Sequence, residues 1–202
     1  MLKTICATFI AATLLHTPAK AATPPVQDEM QTSFEAMIAK GLGVPQEDWK
    51  NLDRDIKNIS GVFRLGIYTD NKNKKHISVG HYTNAYASGN TYLTSAGLKV
   101  SKISLALKKF PHLDKFDFVD IVMDTRAPFN KEINYTMFTI TAPIAAIKSG
   151  DWDGEHVAVG VYAPLGKYTR ASDEGYNLLV DFCKTRAEKG QLQTYIDLCN
   201  QQ

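Results

Sequence analysis

After residue 21 no stretch of this 202-residue chain is apolar enough to cross a bilayer, which takes about 20 consecutive residues as a helix. Nor is there a surplus of either charge. The chain holds 23 Lys+Arg against 21 Asp+Glu, and loss of Lys3 and Lys20 with an N-terminal leader makes the two signs equal. A nucleic-acid partner is excluded on that ground, because displacing counterions from phosphates needs a concentrated basic surface.

Catalytic signatures are missing too. The chain has no G-x-S-x-G elbow, no H-E-x-x-H and no phosphate-cradling G-x-x-x-x-G-K-[ST]. Asp151-Trp152-Asp153-Gly154 resembles the start of a calcium loop, but its glycine comes two residues too early and the bidentate glutamate is lacking. No metal and no cofactor is expected.

What is present begins with MLKTICATFIAATLLHTPAKAATPP: one cation at Lys3, an apolar stretch from Ile5 to Leu15, and a small-x-small site at Ala19-Lys20-Ala21. This is the layout of a secretory signal peptide, residues 1–21, cleaved after Ala21. The mature chain is expected in the periplasm or secreted, with the style of the leader pointing to a bacterial envelope. Residues 22–31 form a flexible lead-in, and 32–202 a single globular domain.

Of 3 cysteines, Cys183 and Cys199 follow the leader. On one straight helix they would stand about 24 Å apart, too far for a disulfide, so the segment must fold back if they bond. Gly190 is the natural stop. Apolar residues recur at helical spacing before it (Tyr176, Leu179, Val180, Cys183) and after it (Leu192, Tyr195, Ile196, Cys199), which predicts a C-terminal helical hairpin closed by a structural disulfide.

Helical periodicity also marks Phe34, Met37, Ile38 and Leu42 behind a Ser33 cap, and Trp49, Leu52, Ile56 and Ile59 behind Pro45. At Gly61 the period drops to two. VFRLGIYT and HISVGHY read as a hairpin with Lys72, Lys74 and Lys75 on a solvated tip. TNAYASGNTYLTSAG reads as a long loop. Ala96, Val100, Ile103, Leu107 and Phe110 then give an amphipathic helix, followed by strands in FDFVDIVMD and INYTMFTIT, a short helix in PIAAIKSG and a strand in HVAVGVYAP. The fold expected is α+β: a mainly antiparallel sheet of about five strands with helices packed on it.

Two constellations stand out as chemistry. His81 and His156 fall at strand ends and Asp124 ends another, so the three form the most economical candidate triad for metal or acid-base work. In SGDWDGEH, Asp151, Asp153, Glu155 and His156 crowd together, but along a strand Glu155 and His156 face opposite sides. The second constellation is Tyr82, Asn84, Tyr86, Asn90 and Tyr92, flat amphipathic rings among amides, suited to a protein or sugar surface. Arg126 could recognise a carboxylate, with Asp124 as an equally good local partner.

These features lead to an exported, non-catalytic binding or accessory protein. Its partner would be another envelope protein or component, in a secretion, conjugation or surface-assembly system. The rival is a small secreted hydrolase or metal-dependent enzyme using His81 and His156 with one carboxylate. The two differ in what they require of the fold: convergence of the histidines, or an exposed tyrosine patch.

Overall fold

The structure, a computed structural model, describes residues 38–84, 88–126, 134–153 and 157–200. The expected leader, lead-in and Ser33 cap lie outside them. Residues 38–41 are helical and stop at Gly43, whose φ of 74° suits glycine.

Helix α1 (Gln46–Lys57) starts behind Pro45, carries Glu47 and Asp48 in its first turn and Arg54 and Lys57 in its last, and buries Trp49, Leu52 and Ile56. Both charge placements oppose the helix dipole. Strands β1 (Val62–Thr69) and β2 (Lys75–Tyr82) form the expected antiparallel hairpin. In its turn Asp70 Oδ1 accepts hydrogen bonds from the Lys72 and Lys74 amides, each at 2.8 Å, and Asn73 takes a φ of 59°.

Helix α2 (Gly89–Lys109) crosses from β2 to β3 (Phe118–Arg126). It begins well before the sequence suggests, inside the stretch that reads as a loop. Ser88 caps it, its Oγ accepting from the Thr91 amide at 3.1 Å, and Asp181 accepts from the Gly89 amide at 2.7 Å. Gly97 lies against helix α4, where a Cβ would fall 1.7 Å from the Ala158 carbonyl oxygen. A side chain there would hold the two helices apart.

Strand β4 (Asn134–Pro143) returns antiparallel to β3 and leads into α3 (Ile144–Ser149). The segment that reads as a fifth strand is instead two short helices, α4 (Val157–Gly160) and α5 (Tyr162–Leu165). Its alternating valines mimic a strand, but Val161, Tyr162 and Leu165 all reach the core, which a period of two does not allow. Pro164 fits because the first turn of a helix needs no amide there. The fifth strand is β5 (Thr169–Ala171), paired antiparallel with β4.

The sheet runs β1-β2-β3-β4-β5, with β2 and β3 parallel and the other neighbours antiparallel. This is the α+β architecture expected. One row of strand side chains, Leu65, Ile67, Ile77, Val79, Val119, Ile121, Met123, Phe138 and Ile140, joins the helices in a single apolar core. Of the opposite row only Met137, where the β3–β4 register shifts, joins that core, so the described helices lie on one face of the sheet.

Helix α6 (Asp173–Glu188) ends at Gly190 (φ 66°), and the chain turns back through a 3-10 turn into α7 (Ile196–Cys199). Leu179 and Cys183 face inward, whereas Tyr176 and Val180 of the expected stripe are exposed. The turn brings Cys183 and Cys199 together with Cα atoms 5.8 Å apart in a disulfide. Arg186 is buried beside it, donating to Gln191 Oε1 at 2.9 Å and to Asn90 Oδ1, between the rings of Phe182 and Tyr195. Replacing both cysteines by serine is expected to cost about 3 kcal/mol, the loop entropy of the cross-link. A urea titration of the double variant against the oxidised protein measures it; coincident curves would show that the bond contributes nothing.

Candidate functional site

Parity along the strands decides what the candidate triad can do. In the parallel register His81 stands beside Met123, and Tyr82 beside Asp124. Since alternate residues of a strand face opposite sides, His81 and Asp124 lie on opposite faces of the sheet. His156 and Glu155 lie outside the described residues. His81 is 0% exposed, in the core row with Ile77 and Val79, and its Nδ1 is 3.3 Å from Thr83 Oγ1 while Nε2 has no hydrogen-bond partner. Burial first, and then the charge of Lys99, holds its pKa down at about 3. A neutral imidazole sealed in this way does not exchange protons with a substrate. Lys99 donates to the Tyr82 carbonyl and to Thr83 Oγ1 at 3.5 Å, and burial lowers its own pKa. Asp124, on the other face, accepts from Thr136 Oγ1 at 2.8 Å, and partial burial raises its pKa. Among the described residues no group of three ligating side chains could hold a metal ion.

The aromatic set also divides. Tyr92 is fully buried, its hydroxyl donating to the Met123 carbonyl at 3.4 Å, so it belongs to the core and to no surface patch. Asn90 is engaged by Arg186 and by Asp181. Tyr82 is half-buried and stacks on Phe63 at 4.2 Å, and Asn84 is exposed. Tyr86 lies outside the described residues, as does the Arg126 side chain. In the SGDWDG turn, Asp151 and Asp153 are solvated while Trp152 plugs the core, its indole N–H donating to the Ile147 carbonyl at 2.6 Å.

What the fold assembles in their place is a cluster on the sheet face away from the helices. Tyr68 on β1 stands opposite His76 on β2, and His76 beside Phe118 on β3. The three rings stack across the strands, with centroids 4.5 Å apart for Tyr68–His76 and 5.1 Å for His76–Phe118. Two residues along β3, on the same face, is Asp120. Its Oδ2 accepts from the Tyr68 hydroxyl at 2.7 Å and meets His76 Nδ1 at 2.7 Å, and its Oδ1 accepts from Thr141 Oγ1 on β4 at 2.7 Å. Four strands therefore contribute one side chain each to a connected polar network. His76 and Asp120 are 5% and 4% exposed, whereas Tyr68 is 44% exposed. Burial, then the hydrogen bond to Asp120 and its charge, keeps the Tyr68 hydroxyl protonated well beyond its ordinary range. Farther along the same face Phe63, 41% exposed, lies over Gly80 and against Tyr82. A Cβ at residue 80 would meet the Phe63 ring at 2.7 Å, so glycine seats the ring flat on the sheet.

The sequence reading passes over Tyr68, His76, Asp120 and Thr141. A carboxylate in the middle of FDFVDIVMD is the available signal, because a half-buried aspartate in an apolar strand requires donors from its neighbours.

A second feature is a cleft of about 250 Å³ between α1 and the end of α2, lined by Asp48, Asn51, Asp55, Lys109 and Phe110 among others. Asp48 is already engaged by His112 Nε2 at 2.8 Å. No helix among the described residues is long and apolar enough to cross a membrane. No family model, curated protein or solved structure matches the chain.

Proposed function

We propose that the protein is an exported, non-catalytic accessory that binds a protein partner of the cell envelope through the helix-free face of its sheet. The observation that carries this reading is the row on that face: exposed aromatics Phe63 and Tyr68 along β1, with Tyr68 tied into the polar network centred on Asp120. Interfaces draw their affinity from aromatic anchors held in place by well-supported polar groups. Among the described residues, the tyrosine loop expected from sequence contributes only Tyr82 and Asn84 to such a surface. The disulfide supports export, since such bonds persist in oxidising compartments. Of the carboxylates open to the enzymatic alternative, Asp124 lies on the opposite side of the sheet from His81.

Site-specific photocrosslinking in the producing cell tests this. A crosslinker at Phe63 or Tyr68 is expected to give one discrete protein adduct that a crosslinker at Tyr176, on the helical side, does not. Substituting Phe63→Ala should then weaken binding to the purified adduct partner about tenfold or more, the loss typical of an aromatic anchor. Identical adducts from both sides, or none from the sheet, would overturn the assignment.

A further inference from the structure

We propose that His76 is a proton-operated clasp on the β1–β2 hairpin. Uptake of a proton at Nε2 ties the imidazole to Asp70, and loss of that proton releases the turn.

The geometry begins at the other ring nitrogen. Nδ1 lies 2.7 Å from Asp120 Oδ2, and an ionised carboxylate only accepts, so Nδ1 carries a hydrogen and donates it. The Tyr68 hydroxyl, 3.1 Å from Nδ1, spends its own hydrogen on Asp120. In the neutral ring this leaves Nε2 with a lone pair. That atom is buried and has no hydrogen-bond partner, and it faces Asp70 Oδ2 at 3.5 Å. Two acceptors then confront each other, one of them cut off from water. Adding a proton to Nε2 converts the confrontation into a charge-assisted hydrogen bond.

Asp70 is suited to be the moving part. Its Oδ1 is fixed on the Lys72 and Lys74 amides, so drawing Oδ2 inward tightens the whole turn. Those amides, Lys74 before Lys72, and after them His76, lower the pKa of Asp70, so it is a carboxylate throughout the range in which imidazoles as a class change charge. The remaining charged neighbours do not replace the proton. Lys74 Nζ is turned to Asp117 at 3.1 Å, and Asp117 also accepts from the Lys75 amide at 2.9 Å. From the strands, Tyr68 and Asp120 face Nδ1, Thr141 binds the far oxygen of Asp120, and Phe118 covers the ring without a charge.

The test compares hydrogen-exchange protection factors of the Lys72 and Lys74 amides at pH 5 and pH 8. In the wild-type protein, protection is expected to be at least tenfold higher at pH 5. Asp70→Asn keeps an oxygen for the two amides but turns an N–H toward the ring, which a protonated Nε2 cannot bond, so it should gain no protection at pH 5. Ring nitrogen chemical shifts of wild-type His76 supply an independent reading, with Nε2 protonated at pH 5 and bare at pH 8. Equal wild-type protection at both pH values, the same pH dependence in Asp70→Asn, or an unchanged ring nitrogen would each overturn the clasp.

Discussion

Lowering the pH from 7 to 4 is expected to remove about 3 kcal/mol of folding stability through His81 alone. The ring is buried and neutral in the fold, with a pKa of about 3 against an unperturbed 6.5. The unfolded chain therefore takes up a proton below pH 6.5 that the folded chain refuses. Stability from this source is complete above pH 6.5, falls by about 1.4 kcal/mol per pH unit below it, and levels off near the folded pKa. The full depth is about 5 kcal/mol, a large part of what a single domain possesses.

Urea unfolding at pH 7, 5.5 and 4.5 follows this term, because Asp70 and Asp117, with pKa values depressed below 3.8, lose their stabilising charge only at lower pH. His81→Leu removes the titrating group together with its contact to Thr83. The variant is expected to show a flatter dependence than wild type by about 1.4 kcal/mol per unit. Parallel curves for the two proteins would sink the assignment. The comparison also cancels the contribution of opposite sign from Asp124, whose pKa partial burial raises, since that residue is present in both.

Trp152→Ala is expected to cost about 3–5 kcal/mol, the range for deleting a buried aromatic. The indole is 3% exposed, and its N–H donates to the Ile147 carbonyl at 2.6 Å. The Trp152 carbonyl in turn accepts from Ser101 Oγ on α2 at 2.9 Å. Gly150 leaves room for the ring, since a Cβ there would fall 2.0 Å from it. This one residue thus joins the end of α3 to the middle of α2. Trp152→Phe should lose less, about 1–2 kcal/mol, by giving up the N–H bond and part of the ring. The other of the 2 tryptophans, Trp49, remains as a fluorescent reporter in both variants. An unfolding free energy within about 1 kcal/mol of wild type for the alanine variant would contradict the plug role.

How much of this was legible depended on whether the signal was local. The stripe of Trp49, Leu52 and Ile56, the hairpin around Asp70 and the reversal at Gly190 each rest on a few adjacent residues, and each appears as read. The stretch from Gly89 to Gly97 was misread because glycine, asparagine and threonine are poor helix formers in isolation. It is helical because Asp181, distant in sequence, caps its first amides, and because its glycines admit the backbone at Leu178 and Ala158. The segment 157–165 failed in the opposite sense, with β-branched residues overruled by packing. For the site, parity within one strand is readable but register between strands is not. His81 and Asp124 each looked suitable alone, and only the pairing of His81 with Met123 separates them.

The parallel seam between β2 and β3 also has a kinetic meaning. Strands β1 and β2 meet across the short turn 70–74 and β3 and β4 across residues 127–133, whereas β2 and β3 are separated by residues 83–117, which include the 21-residue helix α2. Closing that interval costs on the order of 2 kcal/mol more entropy than closing the turn. The two hairpins are thus the early units of folding, and the seam that joins them belongs to the rate-limiting step. Mutations at Val79 or Ile121, which face each other across it, should slow folding more than they hasten unfolding.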